Sequence, residues 1–274
     1  MPKISIVIIT KNEATNIVDC ILSAKKISND IIVVDSGSTD ATVILAKKEG
    51  VKVESISWKG YGAARNTGAG LATNEWILSL DADERITGNL AGSVNALDLS
   101  DGNIIYGFRR LNFFGKTMIR HGTLRHDRVF RLYNRQHVKW NLVPVHEKLI
   151  GENIERVTIQ SYVEHYGIRN ATHYLQKKTG YAFLCALKYK QEKRRFIAAL
   201  RLLSPVFNFV QAYIFQLGFL DKRIGFIVAK INAHYTSKKY QQLYIMLQAE
   251  KKQTGRQQLG ILRSSLKWIS SLLS

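Results

Sequence analysis

The segment Trp76-Ile77-Leu78-Ser79-Leu80-Asp81-Ala82-Asp83-Glu84 opens as an apolar run and closes with three carboxylates in four residues. The run has the pattern of a buried strand. A strand delivers its last side chains to the mouth of a sheet, where open α/β folds bind ligands. On an extended chain Asp81 and Asp83 point to the same side. Two carboxylates held close repel each other unless a cation lies between them. Their oxygens, together with phosphate oxygens, suit Mg²⁺ or Mn²⁺. The chemistry predicted is a divalent metal site that holds a phosphorylated substrate. The alternative is a solvated acidic turn after a buried strand.

Five further places carry candidate groups. Asp35 follows a second buried run, Ile31 to Val34, at a position where a carboxylate commonly binds a nucleoside part. Arg65 lies in the first turns of a helix opened by Gly60-Tyr61-Gly62, an arrangement suited to a diphosphate. Glu147 stands beside His146 and Pro144 in a short apolar run, Trp140 to Leu149, where a carboxylate can take a proton from a hydroxyl. His165 follows a strand-like run, Ile159 to Glu164, and is either a metal ligand or a structural histidine. A basic, aromatic stretch, Arg109 to Gly115 followed by Arg120-His121-Gly122, reads as an irregular segment that offers an acceptor site or as a surface hairpin.

The elements that must position these groups alternate. Lys3 to Thr10 is a β-branched run of the kind buried on both faces of a parallel sheet. Residues 15 to 26 follow with helical spacing and Thr15 as a plausible cap. Ile31 to Val34 is the second strand. Ala41 to Glu49 is a helix, preceded by the capping residues Ser38 to Asp40. Val51 to Ile56 is the third strand. This order predicts right-handed crossovers and a parallel sheet. Asn89 to Leu99 reads as a helix, and Ile104 to Phe108 and Val129 to Tyr133 read as strands. From Asn170 the chain is helical: Thr172 to Glu192, Arg194 to about Gln216, and Gly225 to Gln248. A last segment, Leu259 to Leu273, has apolar residues at helical spacing and reads as a helix lying in a membrane plane.

The whole chain of 274 residues carries a net charge of +19, with 46% hydrophobic and 22% charged residues. The surplus is uneven. Residues 166–274 hold 19 of the basic residues and only 3 of the acidic ones, so the first 165 residues are nearly neutral. Such asymmetry points to an anionic membrane surface or to nucleic acid. No RNA-binding signature is present, so specific nucleic-acid binding is not expected. Cys20 and Cys185 sit in apolar helical patterns and read as buried reduced thiols, with neither disulfide framework nor zinc spacing. The run Ile4 to Ile9 is too short for a signal peptide, which favours a cytoplasmic protein. The longest charge-free run, Leu202 to Leu220, contains Pro205, Asn208, Gln211 and Gln216 and reads as an interfacial or buried helix.

Three motifs in order, Thr10-Lys11-Asn12-Glu13, Val34-Asp35-Ser36-Gly37-Ser38-Thr39-Asp40 and Leu80-Asp81-Ala82-Asp83-Glu84, resemble those of a family 2 glycosyltransferase. The resemblance implies a GT-A fold: α/β, Rossmann-like, with a mostly parallel sheet. It gives a catalytic domain over 1–168 and a basic helical region over 169–274. Gly60 to Asn66, Val145-His146-Glu147, and Gly218 to Asp221 with Gly225-Phe226 are similar to a bacterial lipopolysaccharide core β-glucosyltransferase-like subgroup. By this resemblance Thr10, Asn12 and Glu13 line the nucleotide pocket, and Asp35 binds the uracil. Arg65 lies near the base or diphosphate, and Asp81 contacts ribose or metal-bound water. Asp83 ligates the metal, and Glu147 is the catalytic base. Two departures are Ala41 in place of a usual Gly, and His-Glu in place of a usual Glu-Asp at 146–147.

The activity so implied is an inverting, metal-dependent transfer of a hexose from a nucleotide sugar, UDP-linked, to an anionic lipid-linked saccharide. The cofactor is Mg²⁺ or Mn²⁺. The place is the inner face of the cytoplasmic membrane, where the protein would be peripheral. Alternatives are a polyprenyl-phosphate glycosyltransferase, or a non-enzymatic module that binds membrane or nucleic acid.

Overall fold

The computed structural model describes residues 3–125, 127–143, 147–194 and 196–272, with side chains described as far as residue 250. The chain divides into two compact units, Met1–Arg169 and Asn170–Ser274.

In the first unit β1 (Ile4–Thr10) is buried along its whole length, as its β-branched run requires. It is followed by α1 (Ile17–Ala24), β2 (Ile31–Asp35), α2 (Thr42–Lys48), β3 (Lys52–Ser55), α3 (Tyr61–Leu71) and β4 (Trp76–Asp81). The strands β3, β2, β1 and β4 lie side by side, all parallel. Helices connect them, as the alternation in the sequence predicts. Register fixes the site. Thr10 stands opposite Asp35, and Ile9 opposite Asp81, so three neighbouring strands present these residues at one carboxyl edge.

The chain continues through β5 (Glu84–Ile86), α4 (Gly88–Asn95), β6 (Ile104–Phe114), β7 (Thr117–Met118), β8 (Asp127–Asn134), β9 (Lys139–Trp140), β10 (Leu149–Ile150) and β11 (Glu155–Ile168). β8 joins β4 antiparallel, β6 joins β8 antiparallel, and β11 runs parallel to β6. β5 closes that side of the sheet against β11. Among the described residues the sheet has nine strands in the order β3-β2-β1-β4-β8-β6-β11-β5, with β7 beside β6. The half that carries β1 to β4 is parallel and the other half is mixed. β9 and β10 form a separate small hairpin.

Several local expectations change. β6 runs on to Phe114 and pairs antiparallel with β7, so the basic aromatic stretch is the arm of a hairpin rather than an irregular segment. β11 reaches past His165 to Ile168. α1 begins at Ile17 rather than at Thr15. The Glu13 carbonyl accepts from the amides of Asn16 and Ile17 at 2.9 Å each, and Asn16 donates its side-chain amide to Glu13 at 2.7 Å. Both cysteines are free and buried, as expected.

The second unit is helical. α5 (Ala171–Gln191) is capped by Asn170, whose side chain accepts from the His173 amide at 2.9 Å. α6 (Ile197–Val210) starts after Phe196, which has φ +58°, and carries Pro205 within it. A π-helical turn, Gln211–Phe215, and a 3₁₀ turn, Gly218–Asp221, lead to the long α7 (Lys222–Leu272). A Cβ at Gly225 would meet the Gly218 carbonyl oxygen at 1.8 Å, so this crossing admits glycine alone. The run from Leu202 is not buried: Leu203 and Phe207 are 69% and 66% exposed. The segment Leu259 to Leu273 is helical in backbone to Leu272, but its side chains and Leu273 lie outside the described residues.

Candidate active site

Asp81 ends β4 and meets three guanidinium groups. Arg65 donates to its Oδ1 at 2.5 Å; Arg131 and Arg110 donate to its Oδ2 at 2.9 and 3.2 Å. Burial pushes the Asp81 carboxyl up, but Arg131, Arg65 and Arg110 outweigh burial and hold it well below the usual carboxylate range. Arg110 reaches it from β6, and Arg131 from β8. Arg110 also donates to Glu84 at 2.7 Å and to Asp127 at 3.0 Å. Burial works against the Arg110 charge, yet Glu84, Asp81 and Asp127 raise its pKa. Glu84 is fully buried and also accepts from the Asp81 amide at 2.9 Å. Arg131 is less well matched: its Nε and one terminal nitrogen are buried without a hydrogen-bond partner among the described residues. Burial first, then the nearby Arg65, lower its pKa.

Arg65 is 1% exposed and sits on the inner side of α3. Its three nitrogens serve three partners: Nε donates to Ser79 at 3.0 Å, one terminal nitrogen to Asp81, and the other to Glu147 Oε1 at 2.6 Å. Its guanidinium carbon lies 4.7 Å from the centre of the Trp140 ring. The helix start therefore aims Arg65 inward at protein carboxylates, not outward at a diphosphate. One planar fork ties the strand-end Asp81 to the expected base, Glu147. Glu147 Oε2 takes no hydrogen bond from the described residues. The neighbouring His146 lies outside the described residues.

Asp83 is turned the other way, towards β11. Its Oδ2 lies 3.5 Å from Nε2 of His165. The His165 Nδ1 is 2.6 Å from Asn112 Oδ1, and the Asn112 amide nitrogen donates to the Leu124 carbonyl at 2.7 Å. Asn112 is thereby fixed with its oxygen towards the ring, so Nδ1 carries the proton, and Nε2 faces Asp83 either with a lone pair, in the neutral ring, or as a donor, in the imidazolium. A lone pair and a carboxylate oxygen facing each other favour a cation between them. Nitrogen and oxygen ligands bind a divalent ion at about 2.1 Å, which a 3.5 Å separation accommodates. Gly167 adjoins the pair: a Cβ there would meet His165 Nε2 at 2.6 Å and Asp83 Oδ2 at 3.2 Å. With the ring neutral, the donor set and the glycine beside it fit a divalent cation. Among the described residues no group of three or more His, Cys, Asp or Glu could hold a metal. Further ligands must then come from substrate or water, as is usual for Mg²⁺ bound with phosphates.

The remaining candidates lie along the edge of the parallel strands. Thr10 is buried and its Oγ1 has no hydrogen-bond partner among the described residues. Asn12 has φ +56°, donates its amide to Ser38 at 2.8 Å and accepts from the Thr39 amide at 2.8 Å. Glu13 pairs with Arg169 at 2.9 Å. Asp35 accepts from the amides of Gly37 and Ser38 at 3.0 Å each and from the Ser38 hydroxyl at 2.5 Å. The structure thus brings Asp83 to His165 and Asp81 to Arg65 and Glu147. It does not bring Asp81 to the Asp83–His165 pair as a third ligand, because both Asp81 oxygens already accept from guanidiniums. Arg131 and Ser79 escaped the sequence reading, and Arg110 and Asn112, which lie in the stretch read as an acceptor site, were not expected as partners of Asp81 and His165. The one available signal was Arg131, a charged residue flanked by Phe130 and Leu132 in a buried strand.

The model of glycosyl transferase family 2 matches residues 5–151, more than half of the chain. An uncharacterized glycosyltransferase of Rickettsia conorii is 38% identical over 133 residues, covering 48% of this chain and 46% of that protein. Another, from Rickettsia bellii, is 39% identical over 133 residues, covering 48% and 44%. The chain spans a little under half the length of these curated relatives. A solved structure of glucosyl-3-phosphoglycerate synthase from Mycobacterium tuberculosis, with Mn²⁺, UDP and glucosyl-3-phosphoglycerate, is 25% identical to this chain. It covers 40% of this chain and 44% of its own, at a TM-score of 0.34. The mixed α/β unit, consistent with a GT-A fold, and the extent of the family match agree: the chain belongs to glycosyl transferase family 2.

Proposed function

We propose that the enzyme moves a hexose from a UDP-linked sugar to a lipid-linked saccharide acceptor with inversion, using a divalent cation held by Asp83 and His165. The observation that carries this reading is the facing pair, a carboxylate oxygen of Asp83 and Nε2 of His165, a ring oriented by Asn112. A bound Mn²⁺ or Mg²⁺ would stabilise the departing diphosphate as a Lewis acid. The imidazole ligand favours Mn²⁺ over Mg²⁺. Thr10, Asn12, Glu13 and Asp35 line the edge at which the nucleoside would lie.

Glu147 takes the proton of the acceptor hydroxyl on Oε2, while Arg65 holds Oε1. The hydroxyl oxygen bonds to the anomeric carbon as the bond from that carbon to the diphosphate breaks. One base and no enzyme nucleophile give a single displacement with inversion. Arg65 keeps Asp81 as a counter-charge when Glu147 becomes neutral. The acceptor is read as anionic and membrane-borne, such as a lipopolysaccharide core, because the second unit is strongly basic. That surplus supports a peripheral position on the inner face of the cytoplasmic membrane. The alternative transfer to a polyprenyl phosphate rests on a single segment, Ile197–Phe215, apolar and long enough to cross a membrane.

A thermal-shift panel of nucleotide sugars with and without Mn²⁺ tests the donor. A ligand at a hundred times its Kd stabilises by about 2.7 kcal/mol. One UDP-sugar should raise Tm with metal and leave it nearly unchanged without. Equal shifts with and without metal would remove the metal from the reading.

A further inference from the structure

In the second unit, α6 and the turns after it present a continuous apolar surface. Leu202, Leu203, Val206 and Phe207 are 67%, 69%, 64% and 66% exposed, and Ile214 and Phe215 extend the surface at 51% and 76%. On a helix, residues 202, 203, 206 and 207 share one side. The opposite side packs inward: Ile197 is buried with Tyr240 and Leu243. From Phe196 to Leu220 the one charged residue is Arg201, and its guanidinium lies 4.4 Å from the Tyr244 ring centre, turned towards α7. The outward face is therefore without charge. Exposed basic residues stand at both ends of the stretch, Lys193 and Arg194 before it and Lys222 and Arg223 after it.

An apolar patch of this size marks an interaction site. We propose that this face of α6, with the turn Gln211–Phe215, inserts into the headgroup boundary of an anionic bilayer and lies in its plane. Charge selects the occupant. The basic rims complement anionic headgroups, whereas a second copy would set like charges against each other. One-sidedness selects the orientation. Ile197–Phe215 has the length to cross a membrane, but its other side packs on Tyr240 and Leu243 and it carries Asn208 and Gln211, which favours lying in the plane. The π-helical turn and Leu217, at φ +59°, then redirect the chain. The proposal deepens the reading of a membrane-borne acceptor and assigns the contact to α6 rather than to the end of the chain.

The test is flotation of the full chain with vesicles of neutral phosphatidylcholine and with vesicles one-third phosphatidylglycerol. Wild-type protein should bind the anionic vesicles, less so as salt rises. Leu203→Glu/Phe207→Glu should weaken that binding at least about tenfold. Ile44→Glu, an equally exposed apolar position on α2, should leave it unchanged. Far-UV circular dichroism and metal-dependent nucleotide binding confirm that each variant is folded. A dye on Phe207→Cys, the native cysteines being buried, should shift to the blue on anionic vesicles. Unchanged vesicle binding by the double variant would overturn the proposal. So would a solution dimer that the double variant dissolves, with no vesicle binding by the wild type. Vesicle binding needs no donor, so its failure leaves the transferase reading standing. Loss of transfer in a metal-site variant likewise leaves the membrane proposal standing.

Discussion

The two units treat positive charge in opposite ways. In the first, Arg65 and Arg110 are buried against carboxylates, each guanidinium divided among two or more of them. In the second, cations rest on aromatic rings. The Lys178 amine lies 5.3 Å from the Tyr174 ring centre and 5.1 Å from that of Tyr235. The Lys239 amine lies about equally far from Tyr189, Tyr235 and Tyr240. The second unit has only Glu192, Asp221 and Glu250 as acids. Charge neutralised inside a fold sets geometry, and the price is desolvation. Charge left without acidic partners stays available to an outside anion. The first unit places charged groups within ångströms of one another, while the second holds a cationic surplus with few acidic partners.

Arg65→Lys is the sharpest way to break the first half of this contrast. An ammonium cannot reach Ser79, Asp81 and Glu147 together. The variant should lose about 3–5 kcal/mol of stability, the cost of leaving buried charges unpaired, read by chemical denaturation. A loss below about 1 kcal/mol would mean that the fork sets nothing. Glu147→Gln keeps shape and its contact with Arg65 but cannot accept a proton. Turnover should fall roughly 10² or more with donor affinity nearly unchanged. Normal turnover would move the base elsewhere, with His146 and Asp127 the next candidates. Asp127, whose Oδ2 pairs with Arg110, is the more exposed of the two carboxylates.

Acid should expose the same network. The folded pKa of Asp81 lies below its ordinary value of 3.8. Its charge therefore stabilises the fold above about pH 4, and that contribution fades as pH falls further. The stability gap between wild type and Asp81→Asn should be widest at pH 6 and should shrink steadily below pH 4, being narrower at pH 2. A gap constant across that range would contradict the assignment. In the second unit, Lys178→Met should do little. Burial, then Lys177, lower the Lys178 pKa, so its charged form is disfavoured in the folded state. The lost ring contacts are worth about 0.5–1 kcal/mol. The two effects oppose each other, and Tm should move by a few degrees at most. A large destabilisation would show that the second unit also relies on internal charge.

The parallel half of the sheet was legible because its strands are local, β-branched and separated by helices. Asp35, Asp81 and Asp83 were legible as strand-end carboxylates. Their partners were not, since Arg110 and Arg131 arrive by antiparallel pairing of distant strands. Tyr106 and Leu78 both stand opposite Leu132, a register that no local pattern encodes. His165 was a candidate ligand from the sequence. What turns its Nε2 to Asp83 is Asn112, which stands opposite it on β6. The same-side placement of Asp81 and Asp83 assumed that the strand continued. It ends at Asp81, and the turn through Ala82 sends Asp83 to β11. The apolar run from Leu202 was legible as a helix, but its exposure depends on which faces α7 covers.

The central claim is that Asp83 and His165 hold a divalent cation through which the donor binds. Calorimetric titration of UDP into the protein, with and without Mn²⁺, tests it most directly when wild type is compared with Asp83→Ala. Wild type should bind UDP tightly only with Mn²⁺. Folded Asp83→Ala should show the weak, metal-independent binding alone and should not transfer sugar. Undiminished Mn²⁺-dependent binding of UDP by Asp83→Ala would contradict the account.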